Sequence, residues 1–177
     1  MTIVGWVDIF SRLECRDIIV DSLKYCSEQK GLSIHAYVIM TNHIHLVATA
    51  QEDSAGLSAV IRDFKRHTAK ELINCITENN KESRREWMDV VFKHHGMNNQ
   101  RNETYQIWIQ DNRPMQCIYP KFTIQKINYI HNNPVKAGII RRSIDYCYSS
   151  VGNYAGEEDV LMEVDIIDFG VLTGYVA

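Results

Sequence analysis

The stretch "AYVIMTNHIHLVATA", residues 36–50, is a run of apolar and β-branched residues with two histidines, His43 and His45, set into it. Two strand-like pieces, 32–40 and 43–50, flank only Thr41 and Asn42, a connection short enough for an antiparallel hairpin. Side chains alternate across a strand, so His43 and His45 share one face and Ile44 and Leu46 take the other. Two residues of strand bring the imidazoles within reach of one divalent metal ion. Spacing alone is equally consistent with two hydrogen-bonded strand histidines, so a third ligand has to be found.

Outward from the hairpin, Ile18, Ile19, Leu23 and Cys26 fall on one face of a helix predicted over 16–30, with Gly31 as its stop. Residues 3–7 read as a short first strand. After the hairpin, Ser54 is placed to cap a helix whose apolar positions are Leu57, Val60, Ile61, Phe64, Leu72 and Ile76. Arg62, Lys65, Arg66 and Lys70 lie on a different face of it. Residues 77–103 are polar and read as a mobile or helical excursion. A strand over 105–110, a turn at "DNRP" (111–114) and a short partner strand over 115–119 follow. Ile124, Ile127 and Ile130 mark a helix from 122 to about 132, which Pro134 is expected to end by biasing Asn133 out of the α region. The pattern β, α, β, β, α, β, α predicts an α+β sandwich, one antiparallel sheet with helices packed on it. The expected division is a domain over 1–155 and an acidic extension over 156–177.

A chain of 177 residues fits one domain. The net charge of −3 is unevenly spread. Residues 60–142 hold 15 basic and 8 acidic side chains, whereas 143–177 hold none and 7. A basic middle beside an acidic tail is the pattern of a polyanion-binding face. Five cysteines without a CxxC pair argue against a disulfide framework and a cysteine zinc site. The absence of HExxH and HxHxDH patterns sets aside the common zinc hydrolases. No run approaches a membrane span and no secretory leader is evident, so a cytoplasmic protein is expected.

The third ligand is sought in "QKINYIHNNPVKAG", residues 125–138. Tyr129 and Asn133 are four apart and project from one helical face, with Asn132 a near competitor. A helix lying across the sheet would offer an amide oxygen beside the two imidazoles and a phenol close by. Tyrosine is a poor nucleophile at its ordinary pKa of about 10, but a neighbouring cation favours phenolate and stabilises charge on a phosphodiester.

"AYVIMTNHIHLV" resembles the His-hydrophobe-His motif of the single-tyrosine HUH transposases, and "YIHNNPVKAG" the tyrosine helix of their REP-associated tyrosine transposase branch. Arg62, Phe64, Lys65, Arg66 and "YCYSS" at 146–150 are similar to that branch as well. The resemblance covers roughly residues 1–155. It implies a ferredoxin-like α+β sandwich in which His43, His45 and Asn133 are metal ligands, Mg²⁺ or Mn²⁺ is the metal and Tyr129 is the nucleophile. The implied substrate is single-stranded DNA near an imperfect palindrome that folds into a hairpin, cleaved through a 5′-phosphotyrosine link. Arg62, Lys65, Arg66, Lys70, Lys126 and Lys136 are then the first candidates for DNA contact, with Lys121, Arg141 and Arg142 next. Trp108 and Tyr105 suit either base stacking or the core. The family contains dimers and monomers, so a homodimer is one of two expectations.

Three departures stand out: Thr41 where the branch usually has proline, a short first strand, and the acidic tail. Two competing readings remain. One is a catalytically inactive or domesticated binder of hairpin DNA acting as a regulator; the other is a small-molecule metalloenzyme, which would be indifferent to Tyr129→Phe.

Overall fold

The computed structural model describes residues 1–80, 82–99, 104–111 and 114–169. The expected hairpin is its centre, with β1 (Leu32–Ile39) antiparallel to β2 (Ile44–Ala50). Val38 stands opposite His45, and Ile39 opposite Ile44. Because paired residues share a face, Ile39 and Ile44 turn away from His45, and both are fully buried. The register slips between Ile34 and Ala36, leaving His35 as the extra residue of a bulge. Its ring bridges the Asp165 carbonyl and the Thr49 hydroxyl at 2.8 and 2.9 Å.

Isolated bridges extend this ladder. Thr2 pairs with His43, Ile3 with Trp108, and Ser149 with Val38 on the far side of β1. The order across the sheet is therefore the Trp108 segment, the first residues, β2, β1 and the Ser149 segment. The first four follow the split βαβ order of a ferredoxin-like sandwich. Only β1 and β2 are full strands among the described residues.

The first strand expected over 3–7 stops at Ile3, because Gly5 and Trp6 adopt φ of 62° and 55° and the chain coils into a short 3₁₀ turn, Val4–Trp6. Two successive left-handed residues cannot continue an extended ladder. The strand expected over 105–110 is likewise reduced to one bridge at Trp108. The partner expected over 115–119 is not a strand; Met115, Ile118 and Tyr119 are exposed, with no strand beside them among the described residues. Its turn at 111–114 lies partly outside the described residues.

Helix α1 (Leu13–Lys30) ends as its sequence predicts. Gly31 takes φ 65°, and its N–H reaches the Cys26 carbonyl. Helix α2 (Leu57–Glu78) starts after Gly56 and is not capped by Ser54, whose hydroxyl instead donates to the Gln51 carbonyl and accepts the Gly56 N–H. Ser54 shapes the turn that delivers the helix. The polar excursion contains a helix, α3 (Arg85–Met97), pinned by buried Met88 and Phe92. At its approach Glu82 takes Arg12 at 2.8 Å and Arg84 at 3.1 Å, and Arg84 reaches Asp8 at 2.6 Å. The two guanidinium groups hold the Glu82 carboxyl down to about 2.

Helix α4 (Pro120–Lys136) corrects the expectation that Pro134 ends the helix before Asn133. Proline removes one N–H, but one turn from the end that loss is small, and the buried Pro134 side chain gains packing. The ladder resumes at once, with Ala137 N–H on the Asn133 carbonyl at 2.9 Å. Tyr129 and Asn133 thus stay one turn apart on one helical face. A short α5 (Val151–Ala155) follows. The acidic extension then runs beside β1, where Asp165 donates its N–H to the Ile34 carbonyl and Met162 is buried. No helix among the described residues is long and apolar enough to cross a membrane.

Trp108 is a core residue. Its ring lies 5.9 Å from Phe10 and 6.4 Å from Phe64, and its indole N–H donates to the Thr68 hydroxyl at 3.0 Å. Trp108→Ala empties the junction of the first residues and α2, and should cost about 3–5 kcal/mol. Urea unfolding measures this directly; a loss under about 1 kcal/mol would show that the junction is not a packed core.

Candidate metal and nucleophile site

The pleat of β2 fixes the first two members of the site. His43 and His45 point to one face with ring centroids 4.9 Å apart and planes nearly perpendicular, at 82°. Helix α4 crosses that face. The Tyr129 ring meets His45 edge to face at 5.4 Å, while Tyr129 itself is 43% exposed. The result is a phenol open to solvent against an imidazole pair half sunk into the protein.

Burial sets the charge of the pair. It lowers the His43 pKa and pushes His45 down to about 4, with the positive charges of His43 and of nearby cations including Lys126 adding to the effect on His45. Both rings are therefore neutral at neutral pH, the form that ligates a metal. Neither nitrogen of His45 has a hydrogen-bond partner among the described residues. For His43 one such contact exists, from Nδ1 to the Asn42 Oδ1 at 2.7 Å.

Asn132 and Asn133 differ in their hydrogen bonds. Asn132 turns its amide back along its own helix, donating to the Asn128 carbonyl at 2.9 Å. Asn133, one turn beyond Tyr129, has a buried amide nitrogen with no partner. A half-turn of the amide exchanges nitrogen and oxygen without changing its shape, so the same orphan position offers Oδ1 equally well. A buried polar group without a partner is costly and calls for one. Among the described residues no group of three or more His, Cys, Asp or Glu is placed to hold a metal ion. Two neutral imidazoles and one amide oxygen would be a donor set compatible with a divalent ion, leaving positions for water or phosphate oxygen.

The basic residues divide into distinct groups. Lys136 places its Nζ 5.1 Å from the centre of the Tyr129 ring, and Lys126, whose charge acts on His45, lies 4.8 Å from that of Phe122. Both border the site. Lys65 is half-buried and donates to the Ile109 carbonyl at 2.6 Å, and burial lowers its pKa. It clamps α2 to the segment after Trp108. Arg62 and Arg66 are solvent-exposed and flank Asp63 at 3.5 and 3.2 Å, and Lys70 is exposed one turn on. Arg142 is paired with Asp145.

Two supporting residues escaped the sequence reading. His131 is buried, and its Nε2 lies 2.8 Å from the Ser150 hydroxyl; the same oxygen accepts the Tyr37 N–H at 2.9 Å. This link ties α4, two residues past Tyr129, to the middle of β1. Asn42 is the other. Its position directly before His43 was the available signal, but a turn asparagine needs no more than its turn to explain it.

Two comparisons with known proteins found a similarity. The model of the family described as Transposase IS200 like matches residues 8–112, a span that includes His43 and His45 and ends before α4. A solved structure of a REP-associated tyrosine transposase bound to a REP hairpin is similar over 99% of this chain and 89% of that one, at 16% identity and a TM-score of 0.48. No curated protein sequence matches. With more than half its length matched, the chain belongs to the IS200-like transposase family.

Proposed function

We propose that this transposase-family chain is a metal-dependent single-stranded DNA endonuclease and strand transferase of the REP-associated kind, acting at hairpin-forming palindromes through a 5′-phosphotyrosine intermediate. The observation that carries the reading is the exposed Tyr129 phenol in edge contact with His45 of a neutral histidine pair.

His43, His45 and Asn133 would hold Mg²⁺ or Mn²⁺. The ion, when bound, neutralises charge developing on the scissile phosphate. The remaining chemistry belongs to the chain. Tyr129 Oη attacks phosphorus, the new O–P bond forms as the bond to the 3′-oxygen breaks, and the phenolic proton passes to solvent while the departing oxygen gains one. Lys136, with its Nζ 5.1 Å from the centre of the phenol ring, sets a positive charge beside the nucleophile. The product link keeps the phosphodiester's energy, so an incoming 3′-hydroxyl can displace the phenoxide and rejoin the strand. Lys126 and the exposed Arg62, Arg66 and Lys70 supply backbone contacts to the bound strand.

The test is incubation of the protein with a labelled single-stranded hairpin oligonucleotide from the flanks of its own gene, with Mg²⁺ or Mn²⁺, followed by a denaturing gel. A DNA band shifted by the mass of the protein, formed only with metal, is the expected result. Salt-sensitive binding without any such band would replace this reading with that of a hairpin-binding regulator.

A further inference from the structure

We infer that Asn42 is a positioning residue that sets the tautomer of His43, keeping the proton on Nδ1 and leaving the Nε2 lone pair free for a ligand. Its functional consequence rests on the metal site proposed above; the tautomer itself does not.

Hydrogen-bond direction decides the tautomer. The Asn42 amide nitrogen lies 3.2 Å from the Trp6 carbonyl, and a carbonyl oxygen only accepts. The nitrogen must therefore face Trp6, which fixes an assignment that is otherwise ambiguous for an amide. The Asn42 oxygen then faces His43 Nδ1 at 2.7 Å, and it too only accepts. Nδ1 must donate, so it carries the hydrogen. A neutral imidazole has one N–H, and Nε2 is left as the basic nitrogen.

An unconstrained histidine in water favours the opposite tautomer, with the proton on Nε2. The relay from Trp6 to Asn42 to His43 thus selects the less favoured form. Its fixed end is built into the backbone. Trp6 is the one described residue other than glycine with positive φ, 55°, directly after Gly5 at 62°. Its side chain is 66% exposed, so packing of the indole does not explain the strained conformation. The strained turn delivers the Trp6 carbonyl to Asn42, and such strain at a site is a recognised device for holding geometry. A hydrogen bond on the far nitrogen of a histidine ligand also orients the ring and raises its basicity as a donor.

The test reads the tautomer by ¹⁵N NMR of histidine-labelled protein above the histidine pH range, and Mn²⁺ affinity by titration. Wild type should show His43 with its proton on Nδ1. In Asn42→Ala that signature should relax to a mixture, with Mn²⁺ affinity lowered about 10–100-fold and the amide spectrum still that of a folded protein. Asn42→Asp keeps an acceptor and should retain the Nδ1 proton. A wild-type His43 protonated on Nε2 overturns the inference by itself, even if the alanine variant fails to fold. An unchanged signature in Asn42→Ala does the same. An Asn42-dependent Nδ1 proton in a protein that binds no Mn²⁺ upholds the tautomer control and instead removes the metal-site reading.

Discussion

Tyr129→Phe will abolish the covalent protein–DNA adduct while leaving the fold and hairpin binding in place. The substitution removes one oxygen, and that hydroxyl has no hydrogen-bond partner among the described residues. The ring stays, and with it the edge contact to His45 and the Lys136 ammonium above it. Little stability should be lost, within about 0.5 kcal/mol for a half-exposed position. Loss of the attacking atom is different in kind. Cleavage should fall by on the order of 10⁴-fold or more, the scale seen when a covalent nucleophile is deleted. A denaturing gel with labelled hairpin measures the adduct, and a native gel measures binding. Persistence of the adduct in the phenylalanine variant would mean that another residue attacks. A full loss of binding would mean that the phenol contributes to recognition rather than chemistry.

The second large effect is expected at His45→Ala. His45 is the more strongly desolvated of the pair, held neutral down to about pH 4. That state suits a ligand and does little for stability, because neither ring nitrogen has a partner among the described residues that the alanine would strand. The variant should stay folded, with a cost of about 1–2 kcal/mol for the partly filled space. Mn²⁺ affinity should drop by at least about 100-fold, since loss of an outer partner alone costs up to that much. DNA cleavage should disappear with it. Titration calorimetry and the adduct gel report the two consequences separately. Unchanged metal affinity would place the ion elsewhere and leave the histidines as framework residues. Metal binding lost here but catalysis retained in Tyr129→Phe would point to metal chemistry with no role for the tyrosine.

Both predictions rest on residues that the sequence alone makes legible. Strand alternation puts His43 and His45 on one face, and helical spacing puts Tyr129 and Asn133 together. These relations are local, set by backbone geometry over a few residues. The helix stop at Gly31 and the hairpin were readable for the same reason. The errors share a different cause. Residues 3–7 have the composition of a strand, yet Gly5 and Trp6 turn the chain aside after a single pair of bridges. Pro134 carries a local signal to stop, yet it is overridden where its ring is buried and only one hydrogen bond is lost. In each case a local preference yields to a tertiary environment that no short window contains.

Sequence by itself determined the α+β order of elements, the shared face of the two histidines, the pairing of Tyr129 with Asn133 and the basic middle of the chain. Tertiary structure decided the rest. It brought α4 across β2 so that His45 and Tyr129, far apart in the chain, touch. It left Asn133 rather than Asn132 with an unsatisfied amide, committed Lys65 to the Ile109 carbonyl, and joined Trp6 to His43 through Asn42. The physical reason is that desolvation and hydrogen-bond satisfaction depend on every group that surrounds an atom, and those groups come from elements distant in sequence.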